Sequence, residues 1–272
     1  MPEDPQSTTT TIQQWKDGKL HQPTNDMVTV EEPLEIRVRG QNVAVTMRTP
    51  GHDDELAAGF LVTEGLIKSK EDVTEIAHCK KGEAAQFENT LNIFLAPNME
   101  VDLKSLTRNV FASSSCGICG KATIEAIQQG FPPVVSEVRV TPGIITQLPA
   151  KLREAQATFD QTGGLHAAAM FDTQGKLLIL REDVGRHNAV DKVVGFGLLN
   201  DISFAECVLM VSGRTSFEIM QKALAAKVPI VAAVSAPSSL AVEFAQKSRQ
   251  TLIGFLRGET MNIYTHADRM SS

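Results

Sequence analysis

Cysteine is scarce, at four in 272 residues, which leaves no disulfide framework of the kind that holds small secreted domains together. Long apolar runs are missing too, none approaching the roughly 18 residues needed to span a bilayer. The stretch from Met1 to Gln14 is polar and threonine-rich, without the apolar core of a secretory signal. There is no surplus of positive charge: the formal net charge is −6, which argues against a generic nucleic-acid or membrane surface. Any anionic ligand must then be held by a local pocket. No internal repeat is present. What remains is the composition of a cytoplasmic globular protein, long enough for one large domain or two modest ones, with the first 25 residues expected as a loosely ordered tail.

Against that scarcity, two cysteines stand three residues apart in the run Ser113, Ser114, Ser115, Cys116, Gly117, Ile118, Cys119, Gly120. The flanking serines and glycines anchor a core poorly, so the pair is expected on an accessible loop. Lys121 to Gln129 reads as a helix stopped by Gly130. A cysteine at such a helix start is easier to ionise, and the thiolate is the nucleophile. Three other readings compete with sulfur chemistry. A structural zinc half-site needs two further ligands, yet Cys79 and Cys207 are single and sit in apolar runs that read as buried strands. A structural disulfide suits neither the composition nor the compartment. A thioredoxin-like pair should open a helix early in a small domain, whereas here more than a hundred residues precede it.

The chain before the cysteine loop reads as a small α+β unit over 26–130. Leu34, Ile36 and Val38 alternate with Glu35, Arg37 and Arg39, and a turn at Gly40 to Asn42 leads into Val43, Val45 and Met47, a β-hairpin. A helix carrying Leu56, Phe60 and Leu61 follows, with Asp53 or Asp54 expected as its cap. The cluster His52 to Glu55 is read as the acidic first turn that complements the helix dipole rather than as a ligand set. Strands are expected at Val73 to Cys79 and Thr90 to Ala96.

From 131 to 272 strands and helices alternate, the pattern of a layered α/β sheet. Strands are expected at His166 to Phe171, Leu177 to Leu180, Cys207 to Val211, Ile230 to Val234, Leu252 to Leu256 and Met261 to Tyr264. Helices are expected at Ala150 to Phe159, Asn188 to Leu199, Ser216 to Ala226 and Leu240 to Gln246. Ligands of such sheets bind beyond the strand carboxyl ends, and four segments there concentrate arginine, hydroxyl and glycine. They are Arg181 to Lys192 with Arg186 and His187, Ser212 to Glu218 with Arg214, Ser235 to Ser239 with Ser238, and Gly254 to Thr260. That composition suits a phosphate-bearing ligand, although none matches a Walker loop or a dinucleotide fingerprint. The plain alternative for each is that the serines only cap a helix and the arginines only pair with nearby carboxylates. His166 invites comparison with zinc deaminases, which need His-x-Glu followed by Pro-Cys-x-x-Cys. Ala168 stands in place of the glutamate and the cysteine pair precedes the histidine. His166 is then a pocket wall or a satisfied core histidine.

Taken in order, several segments resemble the formate dehydrogenase accessory sulfurtransferases, the FdhD-like proteins. They are Arg48 to Gly51, Glu55 to Gly65, the cysteine loop, Thr162 to His166, Glu182 to Lys192, Ser212 to Ser216 and Phe255 to Thr260. The resemblance implies a small N-terminal α+β unit joined to a layered α/β domain of cytidine deaminase-like topology without its zinc. It implies a sulfurtransferase that takes sulfur from a cysteine desulfurase as a persulfide and delivers it to the molybdenum bis(molybdopterin guanine dinucleotide) cofactor, which formate dehydrogenase then receives. The resemblance also implies that a guanine nucleotide can substitute for that cofactor and that the protein is a homodimer. Cys116 takes the position of the persulfide carrier and Cys119 that of its partner. Phe255, Leu256, Arg257, Gly258, Glu259 and Thr260 match the cofactor-binding segment; Arg186, His187, Ser212, Arg214 and Ser238 are added from their placement at strand ends. Two further classes stay open: a chaperone that only holds the cofactor, and a zinc-stabilised binding module.

Overall fold

In the computed structural model the described residues are 5–79, 89–97, 99 and 131–271. Cys116, Cys119 and the helix expected after them lie outside these residues.

The N-terminal segment departs from the expected loose tail. Ser7–Ile12 (β1) pairs antiparallel with Thr24–Thr29 (β4) around a small hairpin of Trp15–Lys16 (β2) and Lys19–Leu20 (β3). Its threonines supply no apolar alternation, but β-branched residues suit an extended backbone. Side chains then fix it to the body. Gln6 donates to the Pro50 carbonyl at 3.3 Å and accepts from the Thr158 hydroxyl at 2.8 Å, and Thr29 donates to Thr162 at 2.9 Å.

Glu32–Val38 (β5) and Gln41–Arg48 (β6) form the expected hairpin. Leu34, Ile36 and Val38 are buried, and Arg39 and Gly40 take up the positive φ that a two-residue turn requires. The helix Asp53–Thr63 (α1) follows without the expected aspartate cap. His52 holds the cap position in the left-handed region, and no side chain caps the helix. Asp53 is instead gripped by Arg48 through two bonds of 3.0 Å, and Glu55 pairs with Arg181. Val73–His78 (β7) and Thr90–Leu95 (β8) complete a four-stranded sheet of order β6-β5-β8-β7. As an edge strand β7 is not buried, and Cys79, half-buried, lies beyond its end.

The helix expected over 150–159 is broken in two. Pro142–Ile145 (α2) is followed by Leu148–Glu154 (α3) and, after Gln156, by Ala157–Thr162 (α4). The Glu182 carboxylate explains the break: it accepts from the Thr158 and Phe159 amides, both at 3.0 Å, and so starts a new helix there.

The larger sheet is built from His166–Phe171 (β9), Leu177–Asp183 (β10), Val208–Val211 (β11), Ile230–Ala233 (β12), Thr251–Arg257 (β13) and Thr260–Thr265 (β14), in the order β10-β9-β11-β12-β13-β14. Its central strands are apolar on both sides because both faces are covered. On one face Met170, Leu209 and Val231 share a core with the N-terminal sheet, α1 and the helices Arg186–Leu199 (α5), Phe217–Ala225 (α6) and Ser239–Ser248 (α7). On the other, Phe171, Met210 and Ile230 pack on Ile145, Leu148 and Leu152 of α2 and α3. The architecture is a layered α/β domain carrying a small N-terminal α+β unit. The two meet where α1 crosses α5 at Gly59 and Gly195, so closely that a Cβ on either glycine would run into backbone of the other helix.

Candidate functional site

Strand direction decides where the four sequence segments go. β11, β12 and β13 are parallel, so their carboxyl ends open on one edge of the sheet. β9 runs the opposite way to β11, which brings its first residue to that same edge. There the Ser212 amide donates to the Ala167 carbonyl at 3.0 Å, and the Ser212 hydroxyl accepts from the Ala167 amide at 2.9 Å. β10 is antiparallel to β9 and pairs Asp183 with His166. The segments after β10, β11, β12 and β13 therefore gather on one edge, with His166 among them, as the placement rule for α/β sheets requires.

At the β10 end, His187 Nε2 lies 3.0 Å from Glu218 and 3.2 Å from the Ser216 hydroxyl. Burial, reinforced by Lys222, Arg186 and His166, pushes the His187 pKa down to about 3, so the ring is neutral at physiological pH. Burial pushes the Glu218 carboxyl upward. The contact is thus a hydrogen bond from a neutral imidazole rather than an ion pair. His166 is also held below its ordinary value, by burial and then by Arg186 and Arg214, with Asp183 opposing. Gly213 leaves the room for it: a Cβ there would press the His166 ring at 3.3 Å. His166 is therefore a half-buried wall of the edge.

Not every predicted residue presents a group to a ligand. Ser212 spends its hydroxyl on Ala167, and Ser238 spends its own on capping α7, accepting from the Ala241 amide at 3.2 Å. Leu256 is fully buried in the core under α2 and α3 and cannot meet a ligand, because the strand turns it inward as it turns Phe255 outward. Phe255 is 40% exposed and sits at φ 51° in a bulge. Arg257, Gly258, Glu259 and Thr260 are exposed around the turn into β14. Arg257 Nε reaches the Val234 carbonyl at 3.4 Å, and the Thr260 hydroxyl donates to the Arg257 carbonyl at 3.0 Å.

The sequence pattern of one family matches the chain over residues 29–271, that described as the FdhD/NarQ family. The chain belongs to the FdhD/NarQ family. It is similar to "Sulfur carrier protein FdhD" of Mycolicibacterium paratuberculosis, 52% identical over 250 residues that cover 90% of this chain and 92% of the relative. It is likewise similar to the protein of that name in Streptomyces coelicolor, 50% identical over 253 residues covering 90% and 89%. A solved structure from Desulfotalea psychrophila, assigned as a formate dehydrogenase accessory protein, superposes with a TM-score of 0.78 over 98% of this chain and 100% of its own. At 24% identity it speaks for the fold.

In this FdhD/NarQ chain the segment Arg181 to Lys192 divides its labour in a way the sequence does not announce. Arg181 pairs with Glu55 of α1. Asp183 is fully buried and saturated: it accepts from the amides of Thr49 and Gly185, from Asn188 and from Lys192 at 2.8–3.2 Å. Lys192, equally buried, also donates to the Thr49 carbonyl at 2.9 Å. Only Arg186 and His187 are left for the edge. Thr49 thereby ties the edge to the N-terminal unit, and the residues after it, Pro50 to Asp54, line a cavity of about 1070 Å³ that also touches Ser7, Arg48 and His78. Thr215 belongs to the second strand-end segment, although the sequence singles out its neighbours Ser212 and Arg214 as the binding residues. It is 1% exposed, and its hydroxyl has no partner among the described residues.

Proposed function

We propose that this protein is a sulfur carrier that accepts sulfur from a cysteine desulfurase as a persulfide on Cys116 and passes it to a molybdenum bis(molybdopterin guanine dinucleotide) cofactor destined for formate dehydrogenase. Membership of the FdhD/NarQ family and the name shared by its relatives support sulfur carriage. The observation that carries the cofactor part is the single sheet edge that collects Arg186, Arg214, His166 and Phe255. The cofactor is the substrate here. The residues suit a large anion bearing rings: Phe255 offers an exposed face for a guanine, Arg257 and the Gly258 amide suit phosphate, and Arg186 has a buried donor to give.

The sulfur chemistry follows from thiol–disulfide exchange. The Cys116 thiolate takes the outer sulfur of the desulfurase persulfide, whose thiolate leaves. When Cys119 attacks the inner sulfur, hydrosulfide is released toward the cofactor and a Cys116–Cys119 disulfide forms. A thiol reductant then restores both cysteines with two electrons. The protein works in the cytoplasm as a homodimer in this reading.

Intact-protein mass after incubation with an active cysteine desulfurase and cysteine tests it. The expected result is a reductant-sensitive gain of one sulfur in wild type that disappears in Cys116→Ala and persists in Cys119→Ala. No gain in wild type would leave a chaperone that only holds the cofactor.

A further inference from the structure

The cavity of about 1070 Å³ in the N-terminal unit is walled by two edge strands, β1 through Ser7, Thr8 and Thr9 and β7 through Ile76 and His78. None of the arginines or histidines at the open edge of the six-stranded sheet lines it. Among the described residues β1 pairs only with β4 and β7 only with β8, so each keeps one free side. The register decides which residues face that side. The Val30 amide donates to the Gln6 carbonyl at 2.9 Å, which by the two-residue alternation turns the backbone groups of Ser7 and Thr9 away from β4. The Cys79 amide donates to the Thr90 carbonyl at 2.9 Å, which in the same way turns those of Ile76 and His78 away from β8. The outward-facing residues of both strands are thus cavity residues. Proteins guard such edges with lysine, proline or a bulge. β1 has none of these: it runs Ser7, four threonines and Ile12, in unbroken register with β4.

Two side chains of these strands add hydrogen-bonding groups that the chain leaves unused. Ser7 is 7% exposed and its hydroxyl has no partner among the described residues; the same holds for His78 Nδ1, while His78 Nε2 stands 3.8 Å from Asp53. Buried polar atoms left open in this way call for a partner from outside the chain. The charge of the lining is acidic. Glu32, Asp53 and Asp54 face a single guanidinium, Arg48, which is bonded to the first two. Asp54 is exposed and forms no ion pair among the described residues. The first-turn amides of α1 offset part of this charge but supply no cation. The volume exceeds the range of about 300–1,000 Å³ usual for small-molecule pockets, and free strand edges recognise extended backbone. We propose that the cavity docks an extended peptide segment of a partner protein, which adds a strand along a free edge, closes hydrogen bonds with Ser7 and His78, and places a lysine or arginine at Asp54.

Fluorescence anisotropy of a labelled, acetylated hexapeptide of alternating valine and lysine tests this on the full-length protein. Binding is expected to weaken about tenfold or more when glutamate replaces lysine, and as much when the peptide amides are N-methylated, which removes the donors a strand needs and keeps the charge. Ser7→Ala removes a hydroxyl that bonds nothing among the described residues, so it should leave urea unfolding unchanged while weakening the peptide about fivefold. Asp54→Asn should weaken it about threefold. In hydrogen exchange the peptide should slow the amides of Ser7 and Thr9 or those of Ile76 and His78. No binding at about 1 mM peptide, equal binding of the glutamate or N-methylated peptide, wild-type affinity in both variants, or unchanged exchange at both strands would overturn the proposal. Dissociation of an oligomer by the peptide, read by sedimentation, would show a second copy of this chain covering the cavity and would equally overturn it. Neither substitution touches Cys116 or the edge of the six-stranded sheet, so the mass gain from the desulfurase should keep its wild-type value in both.

Discussion

The seam between α1 and α5 and the open edge of the six-stranded sheet both gather charged side chains, and they treat them in opposite ways. In the seam each charge has an answer. Asp183 meets Lys192, Glu55 meets Arg181, and Lys222 sits 2.8 Å from both oxygens of Asp191 with Thr63 closing the group. Burial works against the Lys222 charge, but Asp191, Glu64 and Glu218 together outweigh it and hold the ammonium above its ordinary pKa. At the edge, Arg186 and Arg214 pair with no carboxylate among the described residues, and two histidines are held below their ordinary pKa. Paired charges hold the two units in register, and the charges left unpaired are those available to a ligand. The two regions adjoin along one stretch of chain, Asp183 to His187, so the paired seam positions the edge where charges are left unpaired.

The comparison breaks most sharply at the helix crossing. A Cβ on Gly195 would fall onto the Glu55 carbonyl, and both the Glu55 carbonyl carbon and the Gly59 amide nitrogen lie within 2.8 Å of it. All three are backbone atoms, so no side chain can swing aside and the helices must separate. Gly195→Ala is expected to destabilise by about 3 kcal/mol or more, read by urea unfolding, or to prevent folding. Gly143→Ala meets nothing within 4 Å and should stay within about 1 kcal/mol of wild type. Equal tolerance at both glycines would mean that the seam does not hold the units together.

Next in size is the buried ion pair. Lys192→Met keeps the volume of the side chain but strips Asp183 of its counter-charge inside a site with 0% exposure. Removing one partner of such a pair costs about 3–5 kcal/mol. Three donors remain on Asp183, so the lower end of that range is expected in urea unfolding. Arg214→Gln at the edge should change stability by less than about 0.5 kcal/mol. If Lys192→Met cost no more than Arg214→Gln, the division between structural and available charge would fail.

Much of this was legible in the sequence, and what was not has identifiable causes. The hairpin of β5 and β6 and the strand β9 follow from alternation and from a buried apolar run, and local pattern is enough for both. The convergence of four strand ends on one edge follows from the α/β order. Burial of Leu256 beside an exposed Phe255 was within reach of the two-residue strand period, because both fall in the strand expected over Leu252 to Leu256. The roles of Glu182, Asp183 and Lys192 were not within reach. Their partners, the amides at Thr158 and Phe159 and both backbone groups of Thr49, lie from 23 to 143 positions away, and nothing in a local window distinguishes such a charge from one facing solvent. The threonine strand β1 gave no period because neither of its faces is apolar; its β-branched composition was the available signal.

The smallest expected effect separates the two kinds of buried titratable group. Lys192 lies 2.8 Å from the Asp183 carboxylate, whereas His187 has its pKa pushed down to about 3, first by burial and then by Lys222, Arg186 and His166. Between that value and about 6.5, the ordinary value for histidine, the unfolded chain binds a proton at His187 and the folded chain does not. Stability contributed through this group is therefore fully present above about pH 6.5 and is lost as the pH falls toward about 3. Glu218 opposes it, since a raised carboxyl pKa makes the folded state the one that binds the extra proton in mild acid. The unfolding free energy is a poor place to look because the two partly cancel. The ring itself is a better one: the His187 carbon-bound proton resonances should stay flat from pH 8 to about 4.5. An inflection near 6.5 would show that water reaches the ring and that the edge holds no desolvated corner at His187.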